Sequence, residues 1–232
     1  MRWRAGWTLA ALLVVPGLVF AQDTRPGLAV VPFTDGGSYG QEKEDFEALT
    51  IGLQQMLTTE LAANANLRIV DRSRIKQVMA EQDLGASGRV DAGTAAQIGK
   101  IVGAKYVVMG GFVDWFGDMR LDGSVVNVET SEIVKVQRAR GDREGLFSLV
   151  VELADGLTKG LSLPPLSRQA LQERERRSEQ IPHEAVRLYT RAVFYADRGD
   201  NERARELFSE ITREFPEYTE ASEALRQLRS RS

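Results

Sequence analysis

Cysteine is absent from the 232 residues, and histidine occurs once, as His183. Without thiols there is no disulfide, no thiolate metal site, no cysteine nucleophile and no lipid attachment through cysteine. A single histidine excludes His-cluster metal sites and any Ser-His-Asp triad built on another residue. No catalytic residue, metal site or cofactor site is assigned from the sequence. Charge of one sign is lacking too. The 30 Lys and Arg stand against 33 Asp and Glu, for a net charge of −3, so a basic nucleic-acid surface is not expected. Beyond Phe20 no apolar run approaches the roughly 20 residues of a membrane-spanning helix. The longest, Tyr106–Val113, has strand length. What remains is globular composition, 43% hydrophobic and 27% charged, enough for one domain of moderate size or for one domain and an appendage.

The first segment reads as an address. Arg2 and Arg4 precede an apolar stretch, Thr8–Phe20, broken by Pro16-Gly17 and followed by Ala21. This is the tripartite pattern of a secretory signal peptide, and it predicts removal of residues 1–21. Gln22 would then lead the mature chain, so no lipid anchor is expected there. The protein is expected to be exported to the periplasm and not inserted in a membrane, with a place peripheral to the outer membrane left open.

Periodicity then sets out an α/β region over 26–163. Leu28–Phe33 is a buried strand ending in the turn Thr34-Asp35-Gly36-Gly37. Phe46, Leu49, Leu53, Met56, Leu57 and Leu61 share one helical face from Glu44 to Ala63. Leu67–Val70 is a second strand, Ile75, Val78 and Met79 line a helix capped by Asp71 or Ser73, and Gly85–Gly88 is a loop. Asp91 caps a helix of small residues that stops at Gly103. Tyr106–Asp114, Met119–Val128 and Ile133–Arg140 are strands with short turns, and Val134 and Val136 share one face of the last. Leu146, Leu149, Val150, Leu153 and Leu157 give an amphipathic helix before Pro164-Pro165. The predicted order is β-α-β-α-α-β-β-β-α, a mixed sheet with packed helices.

Residues 164–182 read as a charged linker, a solvated helix dense in Arg and Glu. Residues 183–232 read as a helical hairpin. Leu188, Ala192 and Tyr195 face Ala204, Phe208 and Ile211, Gly199-Asp200 turns the chain, and Pro216 closes the pair. Thr219–Leu228 is a third helix.

Several segments follow in an order that resembles a known family. They are Leu28–Phe33, Leu57–Leu61, Val70–Arg74, Glu81-Gln82 with Gly85–Gly88, and Ala95 through Ile98-Gly99 and Gly103-Ala104 to Gly110. Together they resemble the CsgG/HfaB family, the curli production assembly/transport components, with the flagellar FlgO group as a near relative. The resemblance covers Leu28–Leu161. It implies an envelope α/β domain that acts in assembling surface structures, often as a ring. The channel members of that family are lipoproteins with membrane-crossing hairpin inserts, and this chain has neither the cysteine nor the residues for inserts between 105 and 140. From Ala185 on, Leu188, Ala192, Tyr195, Ala204, Phe208 and Pro216 resemble one tetratricopeptide repeat, with Arg191 and Ile211 departing from its pattern.

The candidate chemistry is sparse. Asp35-Gly36-Gly37 lacks the lysine and spacing of a phosphate loop and reads as a turn. Gly110-Gly111 reads as close packing or a bend in a strand. Glu42, Glu44, Asp45 and Glu47 suit a helix N-terminus, with a cation site as the alternative. His183 reads as an exposed residue at a helix start. Arg72 and Arg74 are candidate interface residues or a solvated helix start. Trp115 and Phe116, at a hairpin tip, are candidates for contact with a partner or a neighbouring subunit; burial under the C-terminal helices is the alternative. These readings lead to a non-enzymatic assembly or scaffold protein with envelope or surface-structure partners and self-association. A regulatory module that activates a cell-wall synthase, and an enzyme working with carboxylates alone, are the alternatives.

Overall fold

The computed structural model describes residues 23–83, 90–161, 163–164 and 166–230. The leader expected at 1–21, the loop at Gly85–Gly88 and Pro165 lie outside the described residues. Strand β1 (Gly27–Val30) alternates its side chains between two cores. Leu28 and Val30 enter one, Ala29 and Val31 the other, as the period of two in a strand requires. The apolar run stops pairing as a strand at Pro32, which has no N–H to donate. The chain then pairs again as β2 (Thr34–Asp35), where the sequence reads only as a turn.

Helix α1 (Lys43–Ala62) follows, then β3 (Arg68–Ile69), α2 (Arg72–Glu81) and α3 (Ala92–Val102). Asp71 caps α2 by accepting from the Ser73 N–H at 2.8 Å, and Asp91 caps α3 by accepting from the Thr94 N–H at 2.7 Å. Gly103 ends α3 with φ +70°, the left-handed position expected just after a helix. Strands β4 (Tyr106–Trp115), β5 (Asp118–Asn127) and β6 (Ile133–Asp142) form an antiparallel meander. The sheet order is β3-β1-β4-β5-β6, with β2 also paired to β4. β1, β2, β3 and β4 run parallel, so the sheet is mixed. The expected α/β fold is present, with β2 as an addition.

Gly110 is where three segments meet. A Cβ there would lie 2.4 Å from the Asp122 carbonyl oxygen and 2.7 Å from the Phe33 ring. Close packing is therefore the reason for this glycine pair.

Helices α2 and α3 cover one face of the sheet with the smaller core, and α1 and α4 (Leu146–Lys159) cover the other. On β6 the apolar pattern misleads. Val136 is exposed on the side that no helix covers, while Gln137 and Gly141 lie against Gly156 and Leu149 of α4, and Lys135 against Gly160 just after it.

The larger core continues into the C-terminal helices α6 (His183–Asp197), α7 (Asn201–Glu214) and α8 (Thr219–Ser230). Four rings form a ladder, Phe208–Tyr189–Tyr218–Phe147, with centroids 5.7, 4.7 and 5.7 Å apart. It ties α7 through α6 to α4. Leu188, Ala192, Ala204 and Phe208 are buried as expected. Tyr195 is half-buried and its hydroxyl donates to Glu44 of α1, so it joins α6 to the α/β region. Pro216 is exposed and ends α7 without packing in the pair.

The charged segment forms α5 (Arg168–Gln180), capped by Ser167. It is more than a solvated connector. Arg174 pairs with Glu60 of α1 at 2.9 Å and Asp155 of α4 at 2.5 Å, and Arg177 pairs with Glu60 and Glu220, each at 2.7 Å. No described helix is long and apolar enough to cross a membrane.

Helix α6 packs tightly on α1 at Gly52. A Cβ there would lie 2.3–3.1 Å from Thr190 atoms, the backbone Cα included. Gly52→Leu gains about 1 kcal/mol of helix propensity but forces a branched side chain into filled space, at a cost of about 3 kcal/mol, the upper end for overpacking. The expected outcome is a net loss of about 2 kcal/mol in urea unfolding, with α6–α8 exchanging amide hydrogens faster than the sheet.

Candidate functional site

The hairpin between β4 and β5 turns on two residues, Phe116 and Gly117, with φ of +54° and +103°. Two successive positive φ angles mark a type I′ turn, whose usual residues are Asn and Gly. Phenylalanine in the left-handed region costs roughly 1–2 kcal/mol, and an outlier of this kind is a reason to look for function.

Three aromatic rings meet at this tip. Trp115 and Phe116 lie 5.7 Å apart, and Tyr39, which the sequence gives no reason to place here, lies 5.1 Å from Trp115 and 6.4 Å from Phe116. All three are largely exposed, at 55% for Tyr39, 59% for Trp115 and 71% for Phe116. The alternative of burial under the C-terminal helices is excluded by those values. The loop carrying Tyr39 is laid along β4. Its N–H donates to the Asp114 carbonyl at 2.7 Å, and its carbonyl accepts from the Phe116 N–H at 3.1 Å. Gly40, at φ +95°, passes so close that a Cβ would meet the Phe116 Cα at 2.9 Å.

Beneath the rings lies a buried acid, Asp114. Arg143, from the short 3₁₀ turn after β6, donates to both its carboxylate oxygens at 2.5 and 2.8 Å. Gln41 and the Gly117 N–H donate to the same carboxylate, each at 2.8 Å. Ser38 accepts from the Asp114 backbone N–H at 3.0 Å, and its hydroxyl donates to Asp35 at 2.6 Å. Burial raises the Asp114 carboxyl, but Arg143, Gly117 and Gln41 together outweigh it and hold it below the ordinary carboxylate value. Three segments distant in sequence thus fix one set of rings. Removing large side chains from water by docking releases substantial free energy, and a rigid presentation lowers the entropy cost.

Beside Trp115 a cleft of about 160 Å³ is lined by Val113, Asp118, Arg120 and Arg140. Arg120 and Arg140 stand directly opposite each other on β5 and β6. Their like charges are offset by Asp122 at 2.8 Å and Asp118 at 2.5 Å respectively.

The other expected site residues do not join this platform. Arg72 pairs with Asp197 of α6 at 2.6 Å, so it ties α2 to the C-terminal helices. Arg74 is exposed, with no ion pair among the described residues. The acidic start of α1 serves α6. Asp45 and Glu42 pair with Arg191 at 2.5 and 2.9 Å, and Glu47 pairs with Arg198 at 3.2 Å. His183 is half-buried, not exposed, and its Nδ1 is buried with no hydrogen bond. Burial first and Arg143 second hold its pKa below the ordinary histidine value. Among the described residues no three His, Cys, Asp or Glu converge as metal ligands.

Residues 21–119 match the family described as "Curli production assembly/transport component CsgG". No curated protein matches. Solved structures similar to this chain include the LpoB C-terminal domain from Escherichia coli, at 18% identity and a TM-score of 0.41, covering 51% of this chain and 83% of that one. The PelC dodecamer from Paraburkholderia phytofirmans is similar at 17% identity and a TM-score of 0.38, over 61% and 91%. Lipoprotein GNA1162 from Neisseria meningitidis is similar at 11% identity and a TM-score of 0.40, over 50% and 79%. Likeness at these levels transfers no activity and no partner. The family match bears out, over residues 21–119, the resemblance read from the sequence, and a helical C-terminal region follows the α/β part.

Proposed function

We propose that this chain is a non-enzymatic scaffold or binding module of the cell envelope, which docks a partner on the platform of Tyr39, Trp115 and Phe116. The observation that carries this reading is the exposed, strained aromatic tip held on the buried Asp114–Arg143 pair. The CsgG-like part supports an exported protein that assembles with others. On this reading the partner is an envelope or surface-structure protein, or a second copy of the chain in a homo-oligomer. Nucleic acid is not a partner, and the protein does not insert in the membrane. Residues 26–163 form the docking domain, α5 ties it to the C-terminal region, and residues 183–232 brace it as a tetratricopeptide-like hairpin.

The test separates docking from stability. Phe116→Asn supplies the residue a type I′ turn prefers, so the protein is expected to gain about 1 kcal/mol in unfolding free energy. The same variant, and Trp115→Ala, are expected to lose the partner that co-purifies from envelope fractions by about tenfold or more, as truncation of a central aromatic does at an interface. Full retention of the partner by both variants would contradict the proposal. The captured partner separates assembly of a surface structure from activation of a wall synthase.

A further inference from the structure

A cavity of about 150 Å³ lies where α1, α2, α6, α7 and α8 meet, far in the chain from the aromatic tip. Its walls include Val193 and Phe208 on the apolar side and Tyr189, Glu220, Glu223 and Arg72 on the polar side. Tyr189 is only 3% exposed, yet its hydroxyl makes no hydrogen bond with any described residue. The neighbouring Tyr218 hydroxyl is buried and unpaired, which is uncommon and costs free energy. Burial, and after it the charge of Glu220, hold the Tyr189 hydroxyl above its ordinary range, with Glu223 adding and Arg72 opposing. The charges that act on this phenol are therefore those that line the cavity.

The net charge of the walls favours a cation. Arg72 is neutralised by Asp197 at 2.6 Å, and Glu220 accepts from Arg177 at 2.7 Å. Glu223 has no ion pair among the described residues. A phenol oxygen and a free carboxylate both accept hydrogen bonds, so the missing group is a donor. The volume is well below that of sites for whole cofactors or drug-sized ligands and suits one side chain. A bare metal ion would leave the apolar wall without use.

We propose that this cavity receives the Lys or Arg side chain of a partner protein. The methylenes lie against Phe208 and Val193, and the cationic head donates to the Tyr189 hydroxyl and to Glu223. This does not rest on the aromatic platform, and either can fail without the other.

The test uses n-butylammonium as the probe and n-butanol as its neutral analogue, followed by amide chemical shifts in the whole protein. Butylammonium is expected to shift the Tyr189, Val193 and Ala224 amides saturably, and butanol to bind about tenfold more weakly. Glu223→Gln, at an exposed position, is expected to weaken butylammonium about tenfold. Tyr189→Phe, which removes a hydroxyl that makes no hydrogen bond with any described residue, is expected to keep Tm and to weaken the probe as well. Equal binding of the two probes, wild-type binding by Glu223→Gln, or no saturable shift would overturn the proposal.

Discussion

Asp114→Ala is expected to destabilise the protein by about 3–5 kcal/mol, the cost of removing one partner of a buried ion pair. Arg143, whose side chain is only 14% exposed, keeps its charge with nothing opposite it. Gln41 and the Gly117 N–H lose their acceptor as well. The rings then lose their common base, so Trp115, Phe116 and Tyr39 no longer hold one arrangement. Urea unfolding measures the first effect, and side-chain relaxation of the three rings measures the second. The pH dependence carries the same information. A carboxyl held below its ordinary value contributes stability above about pH 4 and loses it as pH falls through the folded value. Acid destabilisation of the wild type below about pH 4 should therefore be shallower in Asp114→Asn.

Glu60→Ala is the second large effect, at about 3 kcal/mol, the lower end for a buried pair because each arginine keeps another partner. Glu60 is buried in α1 and accepts from both Arg174 and Arg177 of α5. Arg174 retains Asp155, and Arg177 retains Glu220. What is lost is the joint that ties α1, α5 and α8 together. Proteolysis within 164–182 is expected to quicken more than cleavage elsewhere. The exposed pair Arg176–Glu173 on the same helix is the control, since breaking it should cost less than about 1 kcal/mol. An equal loss in both variants would mean that α5 is a solvated connector after all.

Local signals made most of the fold legible. The apolar stripe of α1, the caps Asp71 and Asp91, the stop at Gly103 and the three-strand meander each follow from spacing or turn chemistry close in sequence. What was not legible depends on distant partners. Thr34-Asp35 has turn residues, and it becomes a strand only because Gly111 and Phe112 lie beside it. The acids at the start of α1 have a sufficient local explanation in the helix dipole, and Arg191 of α6 and Arg198 at its C-terminal end lie about 150 positions away. Val136 carries a strand pattern but sits on an edge strand beyond the reach of α2 and α3. The site follows the same rule. Trp115 and Phe116 stand out as aromatics at a turn. Tyr39 joins them through the β-bridge Tyr39–Trp115, and Arg143 joins them because β6 returns it to the same end of the sheet as Asp114.

The central claim is that the aromatic tip is covered by another protein in the envelope. Its most direct measurement replaces Phe116 with a photoreactive phenylalanine in living cells, with Leu171, an exposed apolar residue on α5, as the control position. Illumination should join position 116 to a second protein chain of defined mass and leave position 171 without that product. No product at 116, or the same product at both positions, would contradict docking through this platform.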